Sequence, residues 1–405
     1  MRTRHGLLFL SALSLVTACG DDGGGADADS GASSRGTSST GGTTESSETT
    51  APSDTDTDTD TDTDTDGPVP NEPVNLDIDA YPFETLSEYH FFQGELGDLV
   101  PNDGVISYTV AAPLWADAAE KGRYFVIPEG SSIGFTEENE WDFPTGSVVI
   151  KNFYFDQDRG EAEDLRVVET RLLVLEDDGN WQSYGYIWND EQSEADQTKA
   201  GADVYIDYID EAGDPHSQLY LVPDQNVCES CHQRDDQTLI LGPTTRQMNT
   251  TWPIGGEGEV NQIEWLVDNG FFAGDVPSAA DLPALANPAG DASVDARARA
   301  YLHGNCAHCH RPGGAGGSSG LKFAVWVDDP AEYGVCKLPA AAGPGAGGRS
   351  YDIVPGSPEM SILPFRMASE DPEVKMPELP SLLADDFGVQ LIEEWITQLP
   401  GDPCE

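Results

Sequence analysis

Cys228-Glu-Ser-Cys231-His232 and Cys306-Ala-His-Cys309-His310 are the stretches on which this 405-residue chain turns. In each, two thiols stand three positions apart and an imidazole follows at once, so a helical backbone sets the thiols about one turn from each other. Thiols so spaced reach the two vinyl groups on one edge of a porphyrin. The adjoining imidazole then lies beneath the ring, where a nitrogen can take an axial position on iron. Two c-type haem attachment sites are predicted, with Cys228, Cys231, Cys306 and Cys309 forming thioethers and His232 and His310 as axial ligands.

Other uses of such cysteines fit less well. Zinc knuckles pair their Cys-x-x-Cys units over short spacings, whereas 74 residues lie between Cys231 and Cys306. A thioredoxin-like dithiol expects a βαβ setting, which neither motif has. Disulfides between cysteines three apart would leave both histidines unexplained.

The sixth ligand decides what each iron does. Met376, in Lys375-Met-Pro-Glu ahead of a C-terminal helix, sits where small single-haem cytochromes supply a thioether from the face opposite the histidine. It is the candidate for the second haem, and His/Met ligation suits electron transfer. For the first haem the candidates are Met248, 16 residues after His232, together with Met367 and His216. Without any of them that iron would stay open to a small molecule. His308 occupies an x position directed away from the iron, and His303 reads as solvent-facing. The Gly-rich run from Ala340 to Ser350 lacks the Lys-Ser/Thr of a phosphate loop and reads as a loop against a haem edge. Cys336 and Cys404 remain, and in an oxidising compartment they are expected to form a disulfide pinning the C-terminus.

Export is predicted by the first 18 residues. Arg2 and Arg4 precede the apolar run Leu7 to Val16, and small residues lead to Cys19, which is where bacterial lipoproteins are cleaved and acylated. The apolar run is too short for a permanent membrane span. Residues 19–75, ending in a Thr-Asp repeat, cannot bury enough apolar surface to offset chain entropy and read as a disordered acidic tether. The net charge is −53. Residues 20–75 carry 14 acids and Arg35, and Arg2 and Arg4 add two positive charges, which leaves −42 on residues 76–405. Such a surface argues against nucleic acid and anionic lipid as partners and favours basic or cationic ones.

The expected fold is α+β and multidomain: an N-terminal antiparallel β-rich domain, residues 76–225, followed by two small α-helical cytochrome c-like haem domains. Ser147 to Phe155 is dense in β-branched and aromatic residues, and Val167–Leu175 and Trp181–Trp188 flank a turn at residues 177–180, suggesting a sandwich or barrel. Helices are predicted over Asn261–Phe272, Val294–Asn305 and Phe387–Leu399, placing the haem domains at 226–280 and 290–402 with a Pro/Ala-rich linker between them.

With these motifs in view, the chain resembles bacterial dihaem c-type cytochromes, mostly lipoproteins, over about Leu86 to Leu399. The resemblance is carried by Leu86-Ser-Glu-Tyr-His-Phe-Phe92, Pro144-Thr-Gly-Ser-Val-Val-Ile-Lys151, Val222-Pro-Asp-Gln-Asn-Val-Cys228, Leu241-Gly-Pro-Thr-Thr-Arg246, Asn305-Cys-Ala-His-Cys-His310, Arg366-Met367 and Met376-Pro-Glu378. It implies two covalent haems and electron transfer, and it favours Met367 over Met248 near the first haem. This chain departs from the group at Met248 and His303. The expectation is an exported, lipid-anchored electron carrier of the bacterial envelope, on the periplasmic or cell-surface side. Its partner would be a redox protein, a basic cytochrome or a dehydrogenase. The alternative is a redox enzyme such as a dihaem peroxidase.

Overall fold

The computed structural model describes residues 71–405 except 160–164, 236, 255, 379, 402, 403 and 405. The signal segment 1–18, the lipidation candidate Cys19 and all of the tether before residue 71 lie outside the described residues. The tether's last stretch is packed: Asn75 N–H donates to the Tyr89 carbonyl at 2.9 Å, and Val74 lies against the first core.

Six strands form one antiparallel meander in chain order: β1 Ile106–Ser107, β2 Glu120–Val126, β3 Val148–Asp156, β4 Leu165–Leu175, β5 Trp181–Trp188 and β6 Ala195–Thr198. β3 lies inside the sheet because its apolar residues serve both faces. Val148 and Ile150 join Leu86, Tyr89, Leu172 and Tyr186 on one side, while Val149 and Phe153 point to the other. The sheet stays open, where strand spacing had suggested a sandwich or barrel, because chain from beyond residue 240 covers its second face. Ile240, Met248, Ile263, Leu266 and Phe272 share a core with Phe125, Val149, Trp141 and Trp181. Phe272–Ala273 also pairs in parallel with Ile133–Gly134. The segment 226–280 thus places its apolar side chains in the sheet's core rather than enclosing a core of its own. β7 Ala202–Ile209 and β8 Pro215–Val222 form a separate hairpin.

The helices α1 Gln225–His232, α2 Gln262–Asp268, α3 Val294–Asn305, α4 Ile362–Met367 and α5 Asp386–Gln398 follow, with a single helical turn at Thr245–Met248 between the first two. The Asp224 carboxylate caps α1 by accepting from Val227 N–H at 3.0 Å, and Ser293 caps α3. One face of α5, with Leu391, Ile392, Trp395 and Ile396, is buried with Ala298, Tyr301 and Leu302 of α3. The crossing is close, since a Cβ on Gly388 would lie 2.1 Å from Tyr301 Oη, which donates to Asp385 Oδ2 at 2.9 Å. Gly388→Ala should therefore destabilise by about 2–3 kcal/mol in chemical denaturation, despite the gain of roughly 1 kcal/mol in helix propensity.

The second motif is strapped to the loop between β1 and β2. Asn305 Oδ1 accepts from Trp115 N–H at 2.7 Å, and its amide donates to the Pro113 carbonyl at 3.3 Å. Cys336 and Cys404 are joined by a disulfide across 68 residues, with Cα atoms 5.2 Å apart.

Candidate functional site

α1 carries Cys228 and Cys231 one turn apart and ends on His232. All three line a cavity of about 740 Å³ whose far wall is the sheet face bearing Val149, Phe153 and Leu173. The second motif follows α3 as a tight turn, with Cys309 and His310 N–H both donating to the Cys306 carbonyl at 3.2 and 2.9 Å. It opens on a cavity of about 350 Å³ lined by Cys306, Cys309, His310, Phe323, Met367 and Met376. Both volumes fall in the range of cofactor sites.

Both motif histidines are oriented for metal ligation. His232 Nδ1 lies 2.8 Å from the Leu239 carbonyl, which only accepts, so Nδ1 carries the proton. His310 Nδ1 lies 3.0 Å from Ser319 Oγ, whose hydroxyl is already donated to the Gly316 carbonyl at 2.6 Å. In both rings Nε2 keeps its lone pair. Burial lowers both to about 4, so they are neutral at physiological pH.

The methionines divide unequally. Met376 lines the same cavity as His310, and so does Met367 on α4. None of Met248, Met367 and His216 lines the first cavity. Met248 is fully buried in the apolar core under the sheet. His216, on β8, is bound through Nε2 to Asp210 at 2.8 Å and stacked on Tyr208. His303 is not solvent-facing, as its sequence position suggested. It lines the first cavity with its ring edge-on to Trp326 at 5.3 Å. Its Nδ1 accepts from Val325 N–H at 3.4 Å, which puts the ring proton on Nε2 and leaves that form no lone pair for a metal.

The two motifs meet. One ligating atom each from Cys231, His308 and Cys309 lies within 4.8 Å of the others. The Cys309 thiol beside it, and then His308, hold the Cys231 thiol below its ordinary value. The 74-residue spacing therefore does not keep the motifs apart in space, which corrects the distance argument against a shared metal. A structural zinc site takes four donors, and three converge here among the described residues. Glu140 ties the pair together, facing Arg234 at 3.2 Å and Arg311 at 3.5 Å.

Arg311 Nε and Nη2, Trp115 Nε1 and Arg246 Nε are buried without a hydrogen-bond partner. All three residues line the first cavity, and Trp115 also lines the second. Orphaned buried donors cost about 1–3 kcal/mol each, and here they fit the carboxylates of a porphyrin edge.

Burial also lowers His303 to about 4 from the free value of 6.5. Between those values the unfolded chain binds a proton that the folded chain refuses, so stability rises with pH through the window and is lost as pH falls towards 4. Thermal unfolding from pH 7 to 4.5 should show this loss. His303→Gln should flatten it by about 1 kcal/mol per pH unit below pH 6.

No protein-family model matches the chain, and neither a curated protein nor a solved structure is significantly similar to it. The feature that motif reading missed is a set of cations on the cavity face of the sheet. Its trace in the sequence is Lys151, a charge inside an otherwise apolar strand.

Proposed function

We propose that this protein is a dihaem c-type cytochrome that passes electrons between two covalently held haems. One observation carries the reading. Each Cys-x-x-Cys-His motif opens on a cavity of cofactor size, with its histidine Nδ1 tied to a protein acceptor and Nε2 free. Haem at these sites would supply one-electron iron chemistry. Cys228 and Cys231 would hold the first haem and Cys306 and Cys309 the second, with His232 and His310 as iron ligands. Met376 would join His310 in holding the second iron, and Arg311 and Trp115 would offer their unpartnered N–H groups to propionates. The approach of Cys231 to Cys309 supports a short path between the thioether edges.

The chain would be held at the bacterial envelope by lipid on Cys19, on the periplasmic or cell-surface side. Its acidic surface favours a basic cytochrome or a dehydrogenase as redox partner and disfavours nucleic acid. No helix of the described residues is long and apolar enough to cross a membrane. A second reading, a redox enzyme such as a dihaem peroxidase, is favoured by the lining of the first cavity, which includes no methionine.

The test is production in a cell competent for cytochrome maturation, followed by haem quantitation and Soret circular dichroism. Two haems per chain and a bisignate Soret band from adjacent chromophores are expected. Colourless protein would overturn the reading. Carbon monoxide binding to one reduced haem would favour the enzyme over the carrier.

A further inference from the structure

On the wall of the first cavity facing α1, Arg123 pairs with Lys151 across β2 and β3, and Lys151 pairs with Arg171 across β3 and β4. Three cations thus stand side by side over about 10 Å of sheet, and all three line the cavity. Like charges directly opposite each other on neighbouring strands destabilise a sheet unless something answers them.

The protein supplies one answer, at one end only. Glu169 takes Arg171 in a two-point contact, with Nε to Oε2 at 2.8 Å and Nη2 to Oε1 at 2.5 Å, and also accepts from Tyr220 at 2.6 Å. Lys151 has no hydrogen-bond or carboxylate partner among the described residues, only the face of Phe153 at 4.7 Å. Arg123 makes one long bond, 3.5 Å, to the Lys121 carbonyl. Ser183 Oγ, on the same cavity wall, is buried without a partner. By contrast, Arg234, Arg246, Arg311 and Lys322, the other cations of this cavity, each face a glutamate.

We propose that Arg123, Lys151 and Arg171 form an anion-binding subsite in the wall of the first cavity, built to take a small oxyanion. The subsite stands on the cavity wall itself and goes beyond the electron-transfer reading. A haem's own carboxylates are the competing occupant. They leave the ring on the edge opposite the thioethers. The orphaned donors of Arg311 and Trp115 already provide for those carboxylates.

The test uses the full-length protein, its haem content measured first, titrated calorimetrically with nitrite and with phosphate at constant ionic strength. Saturable binding of one of these anions per chain is expected. Lys151→Met and Arg123→Met should each weaken it by about 10- to 100-fold, the effect of losing one charge-assisted hydrogen bond. Lys322→Met, which removes the same charge from the cavity rim, should change it by less than about twofold. Without anion, Lys151→Met should raise the melting temperature, because a repulsion is gone. Lys151→Gln serves where the methionine variant fails to fold. Absence of binding, or affinities unchanged in the ladder variants, would overturn the subsite. So would a shifted haem potential in Lys151→Met with anion affinity unchanged, which would put propionates on the ladder. Protein that binds the anion through Lys151 but holds no haem would uphold the subsite and defeat the haem reading alone.

Discussion

Met376→Ala is expected to abolish the sulfur-to-iron charge-transfer band of the oxidised protein and to lower one haem potential by on the order of 100 mV. The haem count should remain two. Met376 and His310 line one cavity, and the backbone sets the methionine there, with Met376 N–H donating to the Arg366 carbonyl at 3.0 Å. A thioether favours ferrous iron, so its loss moves the potential down. Met367 lines the same cavity but is packed among Ile353, Leu391 and Trp395. Met367→Leu should therefore keep the band and cost less than about 1.5 kcal/mol. Optical spectra and potentiometric titration of both variants decide the matter. A band that survives in Met376→Ala and vanishes in Met367→Leu would reassign the ligand.

Asp117→Ala should destabilise the protein by about 3–5 kcal/mol. This carboxylate is buried and holds the loop between Met376 and α5. It accepts from Leu382 N–H at 2.8 and 3.0 Å, from Leu383 N–H at 2.9 Å and from Ser381 Oγ at 2.8 Å. Alanine strands two half-buried backbone donors and a buried hydroxyl at once. The residue also sits at φ +49°, a strained backbone held by its partners. Asp117→Asn keeps one acceptor and should lose about half as much. Denaturant midpoints measure both. Because the loop also presents Met376, the charge-transfer band should weaken in Asp117→Ala.

What the sequence made legible was local. The helix predicted over Val294–Asn305 has those bounds, and the predicted strands around residues 177–180 meet at Leu175 and Trp181 with Gly179 at φ +80°. Period and turn chemistry determine such features within a dozen residues. The partners across the fold were not legible. Nothing near Met248 announces that it packs under the sheet with Phe125 and Val149, and a methionine sixteen residues after His232 looks like a ligand until that core is seen. His303 was read as solvent-facing, yet Trp326 and the Val325 amide lie against it. The meeting of Cys231 with Cys309 follows from three-dimensional packing, which motif spacing does not encode.

The most direct measurement is the intact mass of the full-length protein under denaturing conditions, after matured expression. Two haems retained per chain, both lost from the mass only when Cys228, Cys231, Cys306 and Cys309 are all replaced by serine, is the predicted result. A bare polypeptide, or one released from a stoichiometric zinc ion, would contradict the account.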